Sequence, residues 1–230
     1  LAQWLRDDGG SLVPSSSLVT RDMAKKLISN FQASVHTFKA LGKKTLPPPS
    51  PGTGTSFVAV DREGSAISCG LTLNKLFGTG RVAPGTGVLL SALPGPMGRG
   101  PDSLAGALLI NSLHNKFYFA AAASGGSVSS SALVQVTVGT MMDGEKGNLN
   151  KAIAIRRTHN GGENGLTYFE QGLSAAVVEG LTIRGHNLSS ESSLGLVNAV
   201  FCSSGLPNED GALCNQSSDP RGFGLSSGVK

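Results

Sequence analysis

The chain has 230 residues, 39% of them hydrophobic and 15% charged, with 32 Gly, 11 Pro and 5% aromatics, which describes a folded, loop-rich globular chain and excludes wholesale disorder. Lys and Arg number 19 against 15 Asp and Glu, but they are scattered, in short pairs such as Lys43-Lys44 and Arg156-Arg157, and no basic helix is interleaved with aromatics, so nucleic acid is not expected as a partner. No apolar run reaches the roughly 18 residues of a membrane span, and residues 1–10 lack the basic and apolar regions of a signal peptide.

In chain order, Met23, Leu27, Ile28 and Phe31 recur at helical spacing behind a capping Thr20, which predicts a short amphipathic helix within residues 20–40. The run Leu46-Pro47-Pro48-Pro49-Ser50-Pro51-Gly52 sustains neither helix nor inner strand, since proline fixes φ and lacks an N–H donor. It reads as an exposed linker, open to cleavage. Beyond it the period becomes that of strands: residues 55–60 and 65–72 flank the turn Asp61-Arg62-Glu63-Gly64 and predict a β-hairpin. A second strand pair is expected at 105–111 and 116–123, apolar enough to be buried on both faces. Helices are expected at 129–142 with a serine cap, at 148–155 and at 170–184, followed by a strand at 194–201. The predicted class is α+β, helices layered on a largely antiparallel sheet.

Several motifs have plain readings. Gly78-Thr79-Gly80 lacks a following Gly-Lys-Ser/Thr, and Pro84 blocks the helix that would hold a phosphate, so it reads as a tight turn. His36, His114, His159 and His186 lie far apart, and neither they nor the three cysteines show zinc spacing; no metal and no cofactor are expected. Cys202 and Cys214 bracket a loop whose ends can approach in an oxidising compartment, with the reduced pair an equal alternative. The sequons at Asn187 and Asn215 are as many as a serine-rich chain produces by chance. Ser124-Gly125-Gly126-Ser127 is more informative. It stands between an apolar strand and a helix start, where two glycines let backbone N–H groups converge as in an oxyanion hole.

Asp61-Arg62-Glu63-Gly64-Ser65-Ala66-Ile67-Ser68, Thr72-Leu73-Asn74-Lys75-Leu76-Phe77-Gly78-Thr79-Gly80, Pro84-Gly85-Thr86-Gly87-Val88-Leu89-Leu90, Ser124-Gly125-Gly126-Ser127 and Ser218-Asp219-Pro220-Arg221 resemble, in order, the small subunit of γ-glutamyltranspeptidases. The resemblance spans residues 53–224. It implies an αββα sandwich of the N-terminal nucleophile hydrolase type and a precursor that cuts itself before a threonine. The freed threonine attacks γ-glutamyl amides such as glutathione, with its own α-amine as base. Carried over residue by residue, Thr72 matches the threonine that hydrogen-bonds the nucleophile, Asn74 and Ser103 match substrate-pocket residues, and Gly125 and Gly126 match the oxyanion pair. The resemblance also implies domains at 1–46 (large-subunit tail), 47–54 (linker at the processing site) and 55–230 (catalytic), and a large-subunit partner chain covering the sheet. A periplasmic or extracellular location follows from the same likeness.

Two departures stand out. The nucleophile position, ten residues before Gly64, falls on Gly54, which offers no side chain, leaving Thr55 as the fallback nucleophile. After Leu90 the family's acidic anchor for the substrate α-amine is replaced by Ser91-Ala92-Leu93-Pro94. The expected function is a γ-glutamyltranspeptidase-like amidohydrolase or acyltransferase. The alternatives are a catalytically silent structural or binding subunit, or an enzyme altered at position 54 so that the precursor stays uncut.

Overall fold

The computed structural model describes residues 20–29, 31–36, 54–93, 104–142, 147–161, 166–208 and 214–228. The proline linker, Thr53 and the candidate Ser103 lie outside the described residues.

Helix α1 (Arg21–Ile28) is capped by Thr20, whose Oγ1 accepts from Met23 N at 3.2 Å, and it ends well before residue 40. Strands β1 (Gly54–Val60) and β2 (Ala66–Thr72) form the expected hairpin. Its turn is closed by Asp61, whose Oδ1 accepts from Ser65 N at 2.7 Å, and by Gly64 at φ 87°, a conformation cheap only for glycine. The hairpin is a two-stranded sheet of its own. Strands β3 (Leu104–Asn111), β4 (Lys116–Ser124), β8 (Leu196–Leu206) and β9 (Asn215–Ser217) make a four-stranded antiparallel sheet in the order β3-β4-β8-β9.

The two sheets stack face to face. Val58, Val60 and Ala66 of the hairpin pack on Phe117, Ala120 and Cys202. Across the seam Ser56 Oγ donates to Ala122 O at 3.0 Å and Ser68 Oγ to Ala121 O at 2.7 Å. The opposite face of the four-stranded sheet carries the larger core. There Phe119, Ala121, Ala123, Val197, Ala199 and Phe201 meet helix α2 (Ser129–Met141) and helix α3 (Leu149–Ala154) through Ala132, Leu133, Val136, Leu149 and Ile153. The layers therefore run hairpin, sheet, helices. The outer face of the hairpin leaves Phe57, Ile67 and Leu71 about half exposed, at 45%, 50% and 51%.

Three sequence expectations change. Only β4 is buried on both faces; in β3, Leu108 and Ile110 point outward at 52% and 69% exposure because the helices and the hairpin are centred on β4. Helix α2 has no serine cap, since the 3₁₀ turn Gly126–Val128 runs straight into it. The helix expected at 170–184 is divided. Strand β6 (Leu166–Glu170), rich in residues that suit a pleated surface, ends at Glu170, Gly172 turns at φ 84°, and helix α4 (Ala175–Ile183) begins later. With β5 (Thr158–Asn160) and β7 (Asn187–Glu191), β6 forms a small mixed sheet in which α4 connects the parallel pair β6 and β7.

Candidate active site

Gly54 opens β1 directly opposite Thr72 in β2. A Cβ built on Gly54 would lie 2.9 Å from Leu71 O, 3.1 Å from Leu104 Cδ2 and 3.4 Å from Ser124 Cβ. The side of Gly54 therefore faces the C-terminal end of β4, where Gly125 and Gly126 continue the chain. Thr55 pairs with Leu71 and is exposed on the other face of the hairpin, as alternation along a strand requires. Ser56 returns to the inner face, where Asn198 Nδ2 donates to its carbonyl at 2.8 Å and to its Oγ at 3.1 Å. The start of β1 is thus pinned to β4 and β8 in a fixed register.

Gly125 is buried at φ 133° and Gly126 follows at φ 71°, two successive conformations that side chains resist. They lead into the 3₁₀ turn and α2, so their amides belong to a helix start, where free N–H groups favour an anion or a developing oxyanion. Gly125 is also sterically obligatory, because a Cβ there would lie 2.6 Å from Gly195 Cα.

Thr72 Oγ1 accepts from Asn74 N at 3.0 Å. Asn74 is held at φ 60° and is 7% exposed; its Nδ2 donates to Ala92 O at 2.7 Å, while its buried Oδ1 has no hydrogen-bond partner. Ala92 N in turn donates to Leu73 O at 3.0 Å, so the Ser91-Ala92-Leu93 segment is fastened beside Asn74 with a buried methyl at position 92. Gly78 and Gly80 lie in turns at φ 57° and 70°, in keeping with the tight-turn reading. The structure thus brings Gly54, Thr72, Asn74 and the start of the Gly125 turn together. It turns Thr55 away from them.

Sequence reasoning missed a buried ion network behind this site. Arg157 is 1% exposed, and its Nη2 meets Asp219 Oδ2 at 2.6 Å; Arg221 Nη2 meets Glu170 Oε2 at 2.6 Å, and its Nη1 meets Asp219 Oδ1 at 3.1 Å. Burial pushes the Glu170 carboxyl up, but hydrogen bonds from Arg221 and from the Arg157 and Leu194 amides outweigh it and hold the group below its ordinary value. Burial lowers the Arg157 pKa in spite of Asp219, whereas for Arg221 the two carboxylates overcome burial and raise it. The only sequence signal was Ser218-Asp219-Pro220-Arg221; Arg157 and Glu170 are far from it in the chain. His159 is buried, with Nδ1 2.8 Å from Ser131 Oγ, and burial depresses its pKa. No group of three or more His, Cys, Asp and Glu among the described residues is placed to hold a metal, and no described helix is long and apolar enough to cross a membrane.

The profile of the γ-glutamyltranspeptidase family matches residues 2–93 and 91–229. The chain belongs to the γ-glutamyltranspeptidase family. Among solved structures it is similar to the γ-glutamyltranspeptidase of Pseudomonas nitroreducens complexed with L-DON, at 25% identity and TM-score 0.60, over 76% of this chain and 100% of that one. It is similar to the transpeptidase enzyme CapD of Bacillus anthracis at 26% identity and TM-score 0.58, over 76% of this chain and 99% of that one. A mutant γ-glutamyltranspeptidase of Helicobacter pylori, at 24% identity and TM-score 0.60 over 73% of this chain and 100% of that one, shares the fold. No curated protein matches the chain. The α+β architecture is that of γ-glutamyltranspeptidases.

Proposed function

We propose that this chain is the small-subunit portion of a γ-glutamyltranspeptidase-type protein that binds acyl amides of the γ-glutamyl class, glutathione among them, and that its present sequence makes it catalytically silent. Gly125 and Gly126 supply N–H donors to the ligand carbonyl, Asn74 offers its unpartnered Oδ1 to the ligand, and Thr72 fixes the Asn74 backbone. The observation that carries the silence is the fit of Gly54. The position has no oxygen with which to form an acyl-enzyme, and the Leu71 carbonyl stands 2.9 Å from where a Cβ would be. A large-subunit segment covering Phe57, Ile67 and Leu71 completes the sandwich.

A second reading, an active amidohydrolase, is favoured by the hydroxyl one residue on, at Thr55. Cleavage between Gly54 and Thr55 would free an α-amine to act as base. The hydroxyl would attack the amide carbonyl, an ester would form, the amine would leave, and water or an acceptor amine would take the acyl group. This reading requires β1 to reverse the face on which Thr55 stands.

Intact mass and γ-glutamyl-p-nitroanilide turnover, measured on the assembled protein, separate the two. An uncut chain that binds the anilide without releasing p-nitroaniline supports the silent reading. A chain beginning at Thr55 with turnover supports the second.

A further inference from the structure

The ion network behind the site touches one place that matters to it. Arg157 Nη1 donates to Gly195 O at 2.8 Å and to Leu194 O at 3.2 Å. Leu194 N donates to Glu170 Oε1 at 2.8 Å, and Val197 N to Asp219 Oδ2 at 2.8 Å. Arg157, Glu170 and Asp219 thus grip the backbone on both sides of Gly195, and Arg221 in turn holds Glu170 and Asp219. Gly195 is itself wedged. A Cβ on it would lie 3.0 Å from Ala132 Cβ in α2 and 3.3 Å from Ser124 O, and the Cβ direction of Gly125 ends 2.6 Å from its Cα. The backbone at 195 is therefore in contact with the Gly125 turn on one side and with the first turns of α2 on the other.

We infer that Arg157 is a positioning residue for the Gly125–Gly126 donors, acting through Gly195, with Asp219, Glu170 and Arg221 fixing the guanidinium and its loop. This rests on the reading of those glycines as N–H donors to the ligand carbonyl. Donors of this kind work only when their N–H groups are held in advance at the right place, so a displacement of a few tenths of an ångström at Gly195 weakens the carbonyl contact without touching the ligand. Asp219 Oδ2 joins the Arg157 guanidinium and the Val197 amide, so the network fixes position as well as charge. A lysine at 157 keeps the charge but lacks the planar fork that spans the Leu194 and Gly195 carbonyls and Asp219 together.

The test uses the full chain with any chain it associates with, and three variants: Arg157→Lys, Gly195→Ala and, as a control of core stability, Phe201→Leu, in the same core but away from the ion network. The readouts are the amide ¹H–¹⁵N resonances of Gly125 and Gly126, the melting temperature, and the affinity for γ-glutamyl-p-nitroanilide. Arg157→Lys and Gly195→Ala are expected to move the same two glycine resonances and to weaken binding about tenfold or more, while Phe201→Leu lowers the melting temperature and leaves the resonances in place. Gly195→Ala leaves all four charged side chains in place and alters the backbone they hold, so it holds the test open if Arg157→Lys does not fold. Unmoved Gly125 and Gly126 resonances in Gly195→Ala, or in a folded Arg157→Lys, overturn the inference. If the unaltered protein does not bind the anilide at all, the proposed ligand class falls, and the resonances alone still decide whether the clamp sets the turn.

Discussion

Gly54 and Thr72 are direct partners across the β1–β2 ladder, so the Thr72 hydroxyl stands on the face to which residue 54 is turned. Because side chains alternate along a strand, the same pairing sends Thr55 to the opposite face, beside Leu71. The register of one hairpin thus separates the two hydroxyl-bearing candidates. Thr72 shares the face of position 54, and its Oγ1 receives the Asn74 amide, whereas Thr55 stands on the other face.

Gly125→Ala should be among the most damaging single changes in the chain. The new methyl would meet Gly195 Cα at 2.6 Å, both backbones would have to part, and φ 133° is foreign to alanine. Overpacking and backbone strain together are expected to cost about 3 kcal/mol or more. Denaturant unfolding of Gly125→Ala beside Gly126→Ala measures this, the second being the milder because φ 71° lies in the left-handed region that side chains tolerate at smaller cost. Equal losses for both would contradict the contact argument.

Stability should fall with acid in two steps. Burial lowers the His159 pKa below its ordinary 6.5, so His159 stays neutral in the fold while the unfolded chain takes up a proton. That contribution is complete above about 6.5 and is lost as pH falls below it. His186, lowered by burial and by the neighbouring His36 and Arg184, acts in the same direction. Glu170, held below 4.5 by its hydrogen bonds against the effect of burial, adds stability that is lost as pH falls below 4.5. Melting temperatures from pH 8 to pH 2 check this: His159→Gln should flatten the upper step, whereas an unchanged upper step assigns it to His186.

Much of this was legible in the sequence. The first hairpin, the β3–β4 pair, α2 and α3 follow from period and turn chemistry, since each is decided by neighbours along the chain. The Gly125–Gly126 turn, and the roles given to Thr72 and position 54, come from the family resemblance through motif order; the strand pairing of Thr72 with Gly54 comes from the structure. What was not legible depends on distant partners. Glu170 reads as the start of a helix but ends β6, since nothing near it in the chain shows that its carboxylate receives Arg221, fifty-one residues away, and the Arg157 amide, thirteen away. Gly195 gave no signal at all, for its role exists only where it touches Gly125.

The cysteine alternatives resolve in favour of a Cys202–Cys214 disulfide, which closes a 12-residue separation and ties β8 to the start of β9. Closing a loop of this size contributes roughly 3 kcal/mol through the unfolded state. A reductant is expected to lower the melting temperature, and Cys202→Ser should do the same and abolish the reductant effect. Cys69, the free cysteine among the described residues, should give no such response when replaced by serine.

Position 54 gives the last prediction. As it stands the chain should neither cut itself before Gly54 nor release p-nitroaniline from γ-glutamyl-p-nitroanilide, since no side-chain oxygen meets the carbonyl. Gly54→Thr supplies that oxygen opposite Thr72, but in the uncut chain its Cβ would press on the Leu71 carbonyl at 2.9 Å and on Leu104 at 3.1 Å. The uncut variant should therefore be less stable by about 1–3 kcal/mol. Cleavage before position 54 releases the residue from its preceding peptide and lets it move off Leu71, so strain and chemistry favour the same step. In the assembled protein Gly54→Thr should thus yield a shortened chain by mass and turnover at least a hundredfold above the unaltered protein, in line with what a covalent nucleophile contributes. Turnover by the unaltered chain that vanishes in Thr55→Ala would instead make Thr55 the nucleophile and require β1 to change register in the processed form.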